Sequence, residues 1–258
     1  MPELPEVETV VRSLAPLLVG RVILSVELTS PRVSRGRVAE ARGRRILHVH
    51  RYGKYILIEL DAGTLTVHLG MTGRLLWNAV PGRHTRARIQ LDSGTVLFDD
   101  PRQFGRMEWT PETPARLALL GPEPLQISFR EFQERLRSRR GRVKSVLLNQ
   151  RFLRGLGNIY ADESLFRARI HPLAMAAQLS TTRARRLYDA IREVLTEAIA
   201  KRGTSISDYV DGSGQQGSFQ GRLRVYRRKG EPCLRCGATI RRMVVAQRGT
   251  YFCPHCQR

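Results

Sequence analysis

Apolar residues recur at helical spacing from the start of the chain. Val10, Val11, Leu14, Leu17 and Leu18 share one face. Pro5 suits the first helical position, which needs no N–H donor. Glu6 and Glu8 suit the positive end of the helix dipole. The period then shortens to short β-branched, apolar-rich runs: "RVILSVEL", "RILHVH", "YILIEL", "TLTVHLG", "ARIQL" and "TVLFDD". Asp61-Ala62-Gly63 and Asp92-Ser93-Gly94 read as hairpin connections. Strands at this regular spacing predict an antiparallel sandwich or barrel.

After a linker at "GPEPLQ" (121–126) the period turns helical. Ser128 and Glu131 have capping-box spacing, and the spacing predicts a helix through "EFQERLRSRR" that ends near Gly141. A second helix covers "VKSVLLNQ". A longer one carries Leu187, Ile191, Val194, Leu195, Ala198 and Ile199 on one face and stops at Gly203. "DGSGQQGSFQG" (211–221) reads as a mobile loop. The expected division is residues 1–120, a β domain; 127–210, a helical domain; 211–224, a loop and connection; and 225–258, a small terminal module.

The chain has 258 residues, with 44 Lys+Arg against 23 Asp+Glu, a formal net charge of +21. That excess favours a polyanionic partner, nucleic acid first. No apolar run reaches spanning length, and neither a cationic amphipathic anchor nor a signal peptide is visible. The expectation is a cytoplasmic protein without a membrane partner. Only four of the basic residues are lysines, Lys54, Lys144, Lys201 and Lys229. Genomic base composition accounts for that scarcity. A compact ammonium nonetheless does chemistry that a guanidinium cannot, which singles out Lys54 in "RYGKYILIEL".

All four cysteines lie at the C-terminal end, as Cys233-Leu-Arg-Cys236 and Cys253-Pro-His-Cys256, with sixteen residues between the pairs. This spacing matches a four-thiolate site for one structural zinc ion. "ATIRRMVVAQ" and "TYFC", joined at Arg248-Gly249, supply a closing hairpin. The alternative is two disulfides, which cytosolic proteins seldom keep. His255 lies inside a ligand turn that four sulfurs already fill; it is a spectator or a phosphate contact. Residues 221–258 hold ten Arg+Lys and one Glu, so a hairpin with Arg248 at its tip is a candidate phosphate contact.

Two stretches are less determinate. In "RGLGNIYADE", Gly155 and Gly157 allow close backbone approach. Asn158 before a helix is either an ordinary N-cap or part of a phosphate site at a helix N-terminus. At the start of the chain, the helix accounts for Pro5, Glu6 and Glu8 but leaves Pro2 and Glu3 unexplained.

Together, "MPELPEVETV", "GKYILIEL", "HLGMTG", "PRQFG", "GLGNIYADESLF", "GRLRVYRRKGEPC" and the two cysteine pairs resemble the bacterial formamidopyrimidine-DNA glycosylase (Fpg/MutM) family, in that family's order. Leu4, "EVETV" and Met71 favour this branch over the sister endonuclease eight family, whose opening is closer to "MPEGPEI". The resemblance implies an α+β multidomain fold. Its parts are an N-terminal antiparallel β-sandwich with flanking helices, a helix-two-turns-helix domain and a four-cysteine zinc finger, with DNA in the cleft between domains. It implies a monomeric base-excision enzyme of the bacterial cytoplasm and nucleoid. That enzyme removes 8-oxoguanine and formamidopyrimidines from double-stranded DNA and cuts the strand by β,δ-elimination.

Under the resemblance the opening residues gain a purpose. Once Met1 is removed, Pro2 carries a secondary amine, and a free α-amino group titrates near pH ~7.7–8.0, well below an ordinary lysine at ~10.4. Such an amine attacks the sugar C1′ and leaves an iminium, while Glu3 shuttles protons. The helix dipole favours the neutral amine and Glu3 opposes it. The resemblance further implies that Glu6 positions the lesion or a water and that Lys54 contacts the lesion's phosphate. It implies that His68, Asn158 and Arg248 grip phosphates around the flipped nucleotide. Met71, Arg102 and Phe104 fill the gap that base flipping leaves, with Arg102 pairing to the orphaned cytosine; the 211–221 loop closes over the base. The chain departs from the family at Asn149 and Arg151, where Asp and Lys are frequent, and Arg151 is therefore left outside the catalytic set. Two other readings compete: a non-catalytic zinc ribbon that binds DNA or RNA, and a glycosylase for oxidised pyrimidines.

Overall fold

The apolar stripe near the N-terminus forms helix α1 (Leu4–Leu18), with Pro5 in its first turn, and Val7, Val10, Val11, Leu14 and Leu18 enter the core. The computed structural model describes residues 1–206 and 209–258. Ser207 and Asp208, within the expected helical domain, lie outside the described residues.

Eight strands follow: β1 (Ile23–Leu28), β2 (Ile46–Tyr52), β3 (Tyr55–Leu60), β4 (Thr64–His68), β5 (Arg74–Trp77), β6 (Thr85–Leu91), β7 (Thr95–Asp99) and β8 (Arg106–Thr110). They form two four-stranded sheets, ordered β1-β6-β7-β5 and β2-β3-β4-β8, with every pairing antiparallel. In β6 the residues Thr85, Ala87, Ile89 and Leu91 are buried and alternate with more exposed ones, as one wetted face requires. In β3, Ile56, Leu57 and Ile58 are buried in succession, because α1 packs on β2 and β3. The sequence pattern predicts six of these strands. The other two, β5 and β8, are short edge strands, each opening on an arginine that hides the apolar alternation.

The contacts divide the chain into two compact units, residues 1–119 with 199–220, and residues 120–198 with 221–258. A single-turn helix, α2 (Ala115–Ala118), closes the first stretch. In the second unit α3 (Phe129–Arg137) starts at Ser128, whose hydroxyl accepts the Glu131 N–H at 3.2 Å. It stops short of the expected Gly141. Helices α4 (Val143–Leu148), α5 (Asn158–Arg167) and α6 (Thr181–Ala200) follow. The chain then leaves α6 through Gly203, in the left-handed region.

Two local expectations are corrected. The terminal hairpin pairs β9 (Arg241–Val245) with β10 (Arg248–Phe252), and Val245 faces Arg248. The turn is Ala246-Gln247, at φ 48° and 57°; Arg248 is the first residue of β10, not half of the turn. Two positive φ values suit Asn-Gly far better than Ala-Gln, so the sequence signal pointed elsewhere. The 211–221 stretch, expected to be mobile, starts as a pinned turn. Asp211 is fully buried, accepts the Ser213 and Gln215 N–H groups at 2.9 Å, and pairs with Arg202. Gly212 donates to Ser13 Oγ at 2.9 Å and accepts the Trp77 N–H at 2.8 Å.

Candidate active site and nucleic-acid contacts

In a strongly basic chain, Pro2, Glu3 and Glu6 are all buried at the start of α1. Glu6 Oε2 accepts the Glu3 N–H at 2.8 Å, which satisfies an orphan donor at the helix start. Glu6 Oε1 accepts the Thr204 N–H at 2.7 Å. Tyr209 donates its hydroxyl to the Glu6 carbonyl at 3.2 Å. Gly203 lies so close that a Cβ there would stand 2.8 Å from Glu6 Oε1. Glu6 is thus a strut that ties the segment after α6 to the chain's first residues. The Thr204 N–H bond follows from no sequence spacing.

The amino group of Met1, joined to Pro2 through a peptide bond, lies in the same neighbourhood. Burial lowers its pKa from the ordinary 8.0, and Lys54 and Arg102 push it further down, against the opposing pull of Glu3 and Glu6. The electrostatics therefore bring Glu3, Glu6, Lys54 and Arg102 to bear on one amine. Lys54 occupies the two-residue turn between β2 and β3, after Gly53 at φ 62°, and is 7% exposed. It is a buried turn lysine, not a solvated strand residue.

His68 ends β4 and rests against Tyr55, ring centroids 4.8 Å apart. Burial lowers its pKa to about 4, assisted by Lys54, Arg106, Arg116 and Arg35. Its Nδ1 accepts the Gly70 N–H at 3.1 Å. The neutral ring therefore carries its proton on Nε2, as a donor. Met71 is 40% exposed and Phe104 50%, unusual for large apolar side chains beside a core. The Arg102 guanidinium stacks over the Phe104 ring at 4.7 Å, a cation–π contact that holds both outward.

In the second unit, Gly157 is the N-cap of α5 and Asn158 its first helical residue. The capping alternative for Asn158 is thereby removed. Its Nδ2 donates to the Gly249 carbonyl at 2.9 Å, which fastens α5 beside exposed Arg248. Asn149 accepts the Arg151 N–H at 2.9 Å, a task a carboxylate does equally well, and Arg151 stays exposed. Sequence reasoning missed the polar cluster behind these residues. Lys144 is fully buried, pairs with Asp162 at 2.6 Å and donates to Thr250 Oγ1 at 2.8 Å. Asp162 accepts the Tyr251 N–H at 2.9 Å, and Glu163 accepts those of Arg224, Val225 and Tyr226. Consecutive acids inside an otherwise apolar helix, "IYADESLF", were the available signal.

The four cysteine sulfurs all lie within 4.8 Å of one another. Cys233 and Cys256 are 4.0 Å apart and Cys236 and Cys253 3.5 Å. Four sulfurs at about 2.3 Å from one ion stand about 3.8 Å apart in a tetrahedron, so the residues fit zinc. The thiols are free, which removes the disulfide alternative. The Arg235 and Cys256 N–H groups point at Cys233 and Cys253 sulfurs, at 3.5 and 3.4 Å, as thiolate ligands require. His255 is exposed and not part of the cluster.

A two-sheet β unit, a helical unit and a four-cysteine hairpin define a multidomain protein of the zinc-finger class. Three family models match in sequence: "Formamidopyrimidine-DNA glycosylase N-terminal domain" over residues 1–107, "Formamidopyrimidine-DNA glycosylase H2TH domain" over 120–210, and "Zinc finger found in FPG and IleRS" over 230–258. The chain is 57% identical to the formamidopyrimidine-DNA glycosylase of Solibacter usitatus, covering 100% of both. It is similar to the crystal structure of MutM (Fpg) from Thermus thermophilus, with TM-score 0.93, 46% identity and 99% and 98% of the two chains covered. It is likewise similar to a Lactococcus lactis Fpg variant in complex with Fapy-dG-containing DNA, with TM-score 0.91, 37% identity and 100% of both chains covered. The chain belongs to the formamidopyrimidine-DNA glycosylase family. Among the described residues no helix is long and apolar enough to cross a membrane.

Proposed function

We propose that this chain is a bifunctional DNA glycosylase and abasic-site lyase, which removes oxidised purines from duplex DNA and nicks the strand. The observation that carries the reading is the surroundings of residue 2: Pro2 and Glu3 are buried at the start of α1, and Glu3, Glu6, Lys54 and Arg102 all act electrostatically on the amino group of Met1 next to it. With Met1 gone, the Pro2 lone pair attacks C1′ of the flipped nucleotide. The glycosidic bond breaks, its electron pair leaves with the base, and the base takes a proton. The attached nitrogen gives up its N–H proton to the Glu3 carboxylate, which passes a proton to the ring oxygen as that oxygen leaves C1′, giving a C1′ iminium. The iminium acidifies the adjacent C2′–H, so loss of that proton expels the 3′ phosphate; a second proton loss expels the 5′ phosphate. The Lys54 ammonium offsets phosphate charge through these steps.

Each unit carries its own candidate DNA contacts. His68 offers a neutral Nε2–H donor, and Arg248 and the start of α5 at Asn158 offer donors of their own. Met71, Arg102 and Phe104 occupy the space that the flipped nucleotide vacates. The four cysteines hold one zinc ion that shapes the β9–β10 hairpin and takes no part in the chemistry. We assign the chemistry to residues 1–120, DNA binding to 127–210, lesion capping to 211–224 and hairpin contact to 225–258. One chain carries every group the reaction uses, which supports a monomer. Thiol ligands and a DNA substrate fit the reducing cytoplasm and the nucleoid.

Borohydride reduction during turnover of an 8-oxoguanine·cytosine duplex tests the assignment. A covalent adduct that maps to residue 2 is expected. An adduct on Lys54 overturns the nucleophile, and binding with neither excision nor adduct favours a non-catalytic zinc ribbon. Preference for a thymine-glycol duplex favours a pyrimidine glycosylase.

A further inference from the structure

Asp100 is fully buried and takes no part in the chemistry proposed above. It follows β7, at the root of the loop that carries Arg102 and Phe104. Its Oδ1 accepts the Thr72 hydroxyl at 2.5 Å and the Arg102 N–H at 3.2 Å. Its Oδ2 accepts the Gly105 N–H at 2.8 Å. Thr72 is the residue after Met71, so one carboxylate joins the Met71 loop to the Arg102–Phe104 loop.

The backbones of the two loops are pressed together. A Cβ on Gly70 would come within 2.5 Å of Gly105 N and of the Phe104 carbonyl carbon. A Cβ on Gly105 would reach 2.4 Å from the Phe98 ring and 3.1 Å from Asp100 Oδ2. Gln103, between the two fillers, holds φ 55°, a conformation that side-chain-bearing residues adopt at a cost. Charged-acceptor bonds to three donors are strong enough to hold it. The exposed tips therefore stand on a rigid base.

We propose that Asp100 is a positioning residue that locks Met71, Arg102 and Phe104 into one preformed wedge, and so sets both duplex opening and the choice of opposite base. The proposal rests on the reading of those three residues as gap fillers. A wedge that is ordered before DNA arrives avoids the entropy of ordering two loops on binding. Arg102, fixed through its own N–H, presents its guanidinium to the opposite base in one register.

Asp100→Asn keeps the shape but, in either amide orientation, sets an NH2 donor against one of the two N–H groups, Arg102 or Gly105. Single-turnover excision of 8-oxoguanine in duplex is expected to fall roughly ten- to a hundredfold, the scale of an ångström misplacement. The preference for cytosine over adenine opposite the lesion is expected to shrink with it. Borohydride trapping on a preformed abasic site in an unpaired loop is expected to stay at the wild-type level. Thr72→Val, which removes one of the three donors, is the milder variant and is expected to show the same split, smaller. Unchanged duplex excision and base preference in both variants overturn the proposal. So does an equal loss on both substrates, since Asp100 would then serve the fold at large. If Met71→Ala and Arg102→Ala also leave duplex excision and base preference intact, the gap-filler reading itself has failed. If those two variants are impaired and Asp100→Asn is not, only the positioning role has failed.

Discussion

Both units bury charged groups, but with opposite outcomes. In the second unit Lys144, Asp162 and Glu163 are out of water, and their partners are mostly backbone N–H groups and carbonyls of other segments. Burial pushes both carboxyls up, Asp162 to about 7, against the pull of Lys144 and the Tyr251 N–H. Those charges act as struts that fasten the zinc hairpin and the 224–226 segment to α4 and α5. In the first unit Glu6 is a comparable strut, but the group beside it is the chain's first amine. Desolvation there lowers the pKa of the Met1 amino group and favours its neutral form, and the proposed mechanism uses the same surroundings for the Pro2 amine that loss of Met1 exposes. Burial of charge is the common device; whether it yields scaffold or reactivity depends on which group is left to give up its proton.

The largest expected effect breaks the first half of that contrast. An N-terminal extension that keeps residue 1 attached turns the Pro2 nitrogen into a tertiary amide. Its lone pair is delocalised into the carbonyl, so no iminium forms. Such a protein is expected to bind lesion DNA in a mobility-shift assay with near-normal affinity, yet to excise and cut nothing. Excision by the extended protein would show that the nucleophile lies elsewhere.

Next comes the strut pair. Lys144→Met leaves Asp162 buried without its counter-charge, and breaking such a pair costs about 3–5 kcal/mol. Urea denaturation is expected to show that loss at pH 8 and a smaller one at pH 5, where a carboxyl already pushed upward accepts a proton. A loss independent of pH would mean that packing, not charge, is what Lys144 supplies.

The same contrast marks how far the sequence could be read. Regular periodicity foretold α1, α6 and six of the strands, because each presents one apolar face to a core. The cysteine spacing foretold the sulfur cluster, because a tetrahedron of thiolates admits few spacings. The Pro2-Glu3 pair could be singled out because the expected helix start, from Pro5 onward, left it unexplained; in the structure Glu3 is the N-cap of α1, which leaves Pro2 as the residue without a local role. What the sequence hid depends on partners distant in the chain: Glu6 with Thr204, Lys144 with Thr250, Asp100 with Thr72. A lone buried acid such as Glu6 or Asp100 has no sequence signature when its donors come from distant segments; only the paired acids of "IYADESLF" left a trace, and that trace does not name their partners. The hairpin turn was misplaced for a related reason, since β9–β10 pairing imposes positive φ on Ala246 and Gln247 against their local preference.

Zinc removal separates the units more gently. A chelator strips the thiolates of the ion that offsets their charge, and the hairpin loses its folding energy. DNA affinity is expected to fall roughly tenfold or more, a change of about 1.4 kcal/mol or above. The terminal amine should still be trapped at saturating DNA, because α1 and both sheets contain no metal ligand. Complete loss of trapping at saturation would mean that the metal supports the first unit as well. Cys253→Ser is expected to behave likewise.

The smallest effect concerns His68, where the first unit buries a group that stays neutral. The unfolded chain takes up this proton near the ordinary 6.5, while the folded protein refuses it until about 4, mainly because the ring is buried and then because four basic neighbours repel the charge. Between those values the unfolded state binds more protons, so stability falls as pH falls. The contribution is complete above pH 6.5 and is lost progressively toward pH 4. His68→Gln cannot titrate, yet its side-chain oxygen can still accept the Gly70 N–H. Thermal unfolding is therefore expected to show a shallower decline for His68→Gln than for the wild type between pH 6.5 and 4. Identical slopes would mean that the folded ring takes up its proton near the ordinary 6.5 and is charged below that pH. The phosphate contact would then be ionic, instead of the neutral Nε2–H donor that the Gly70 hydrogen bond prescribes.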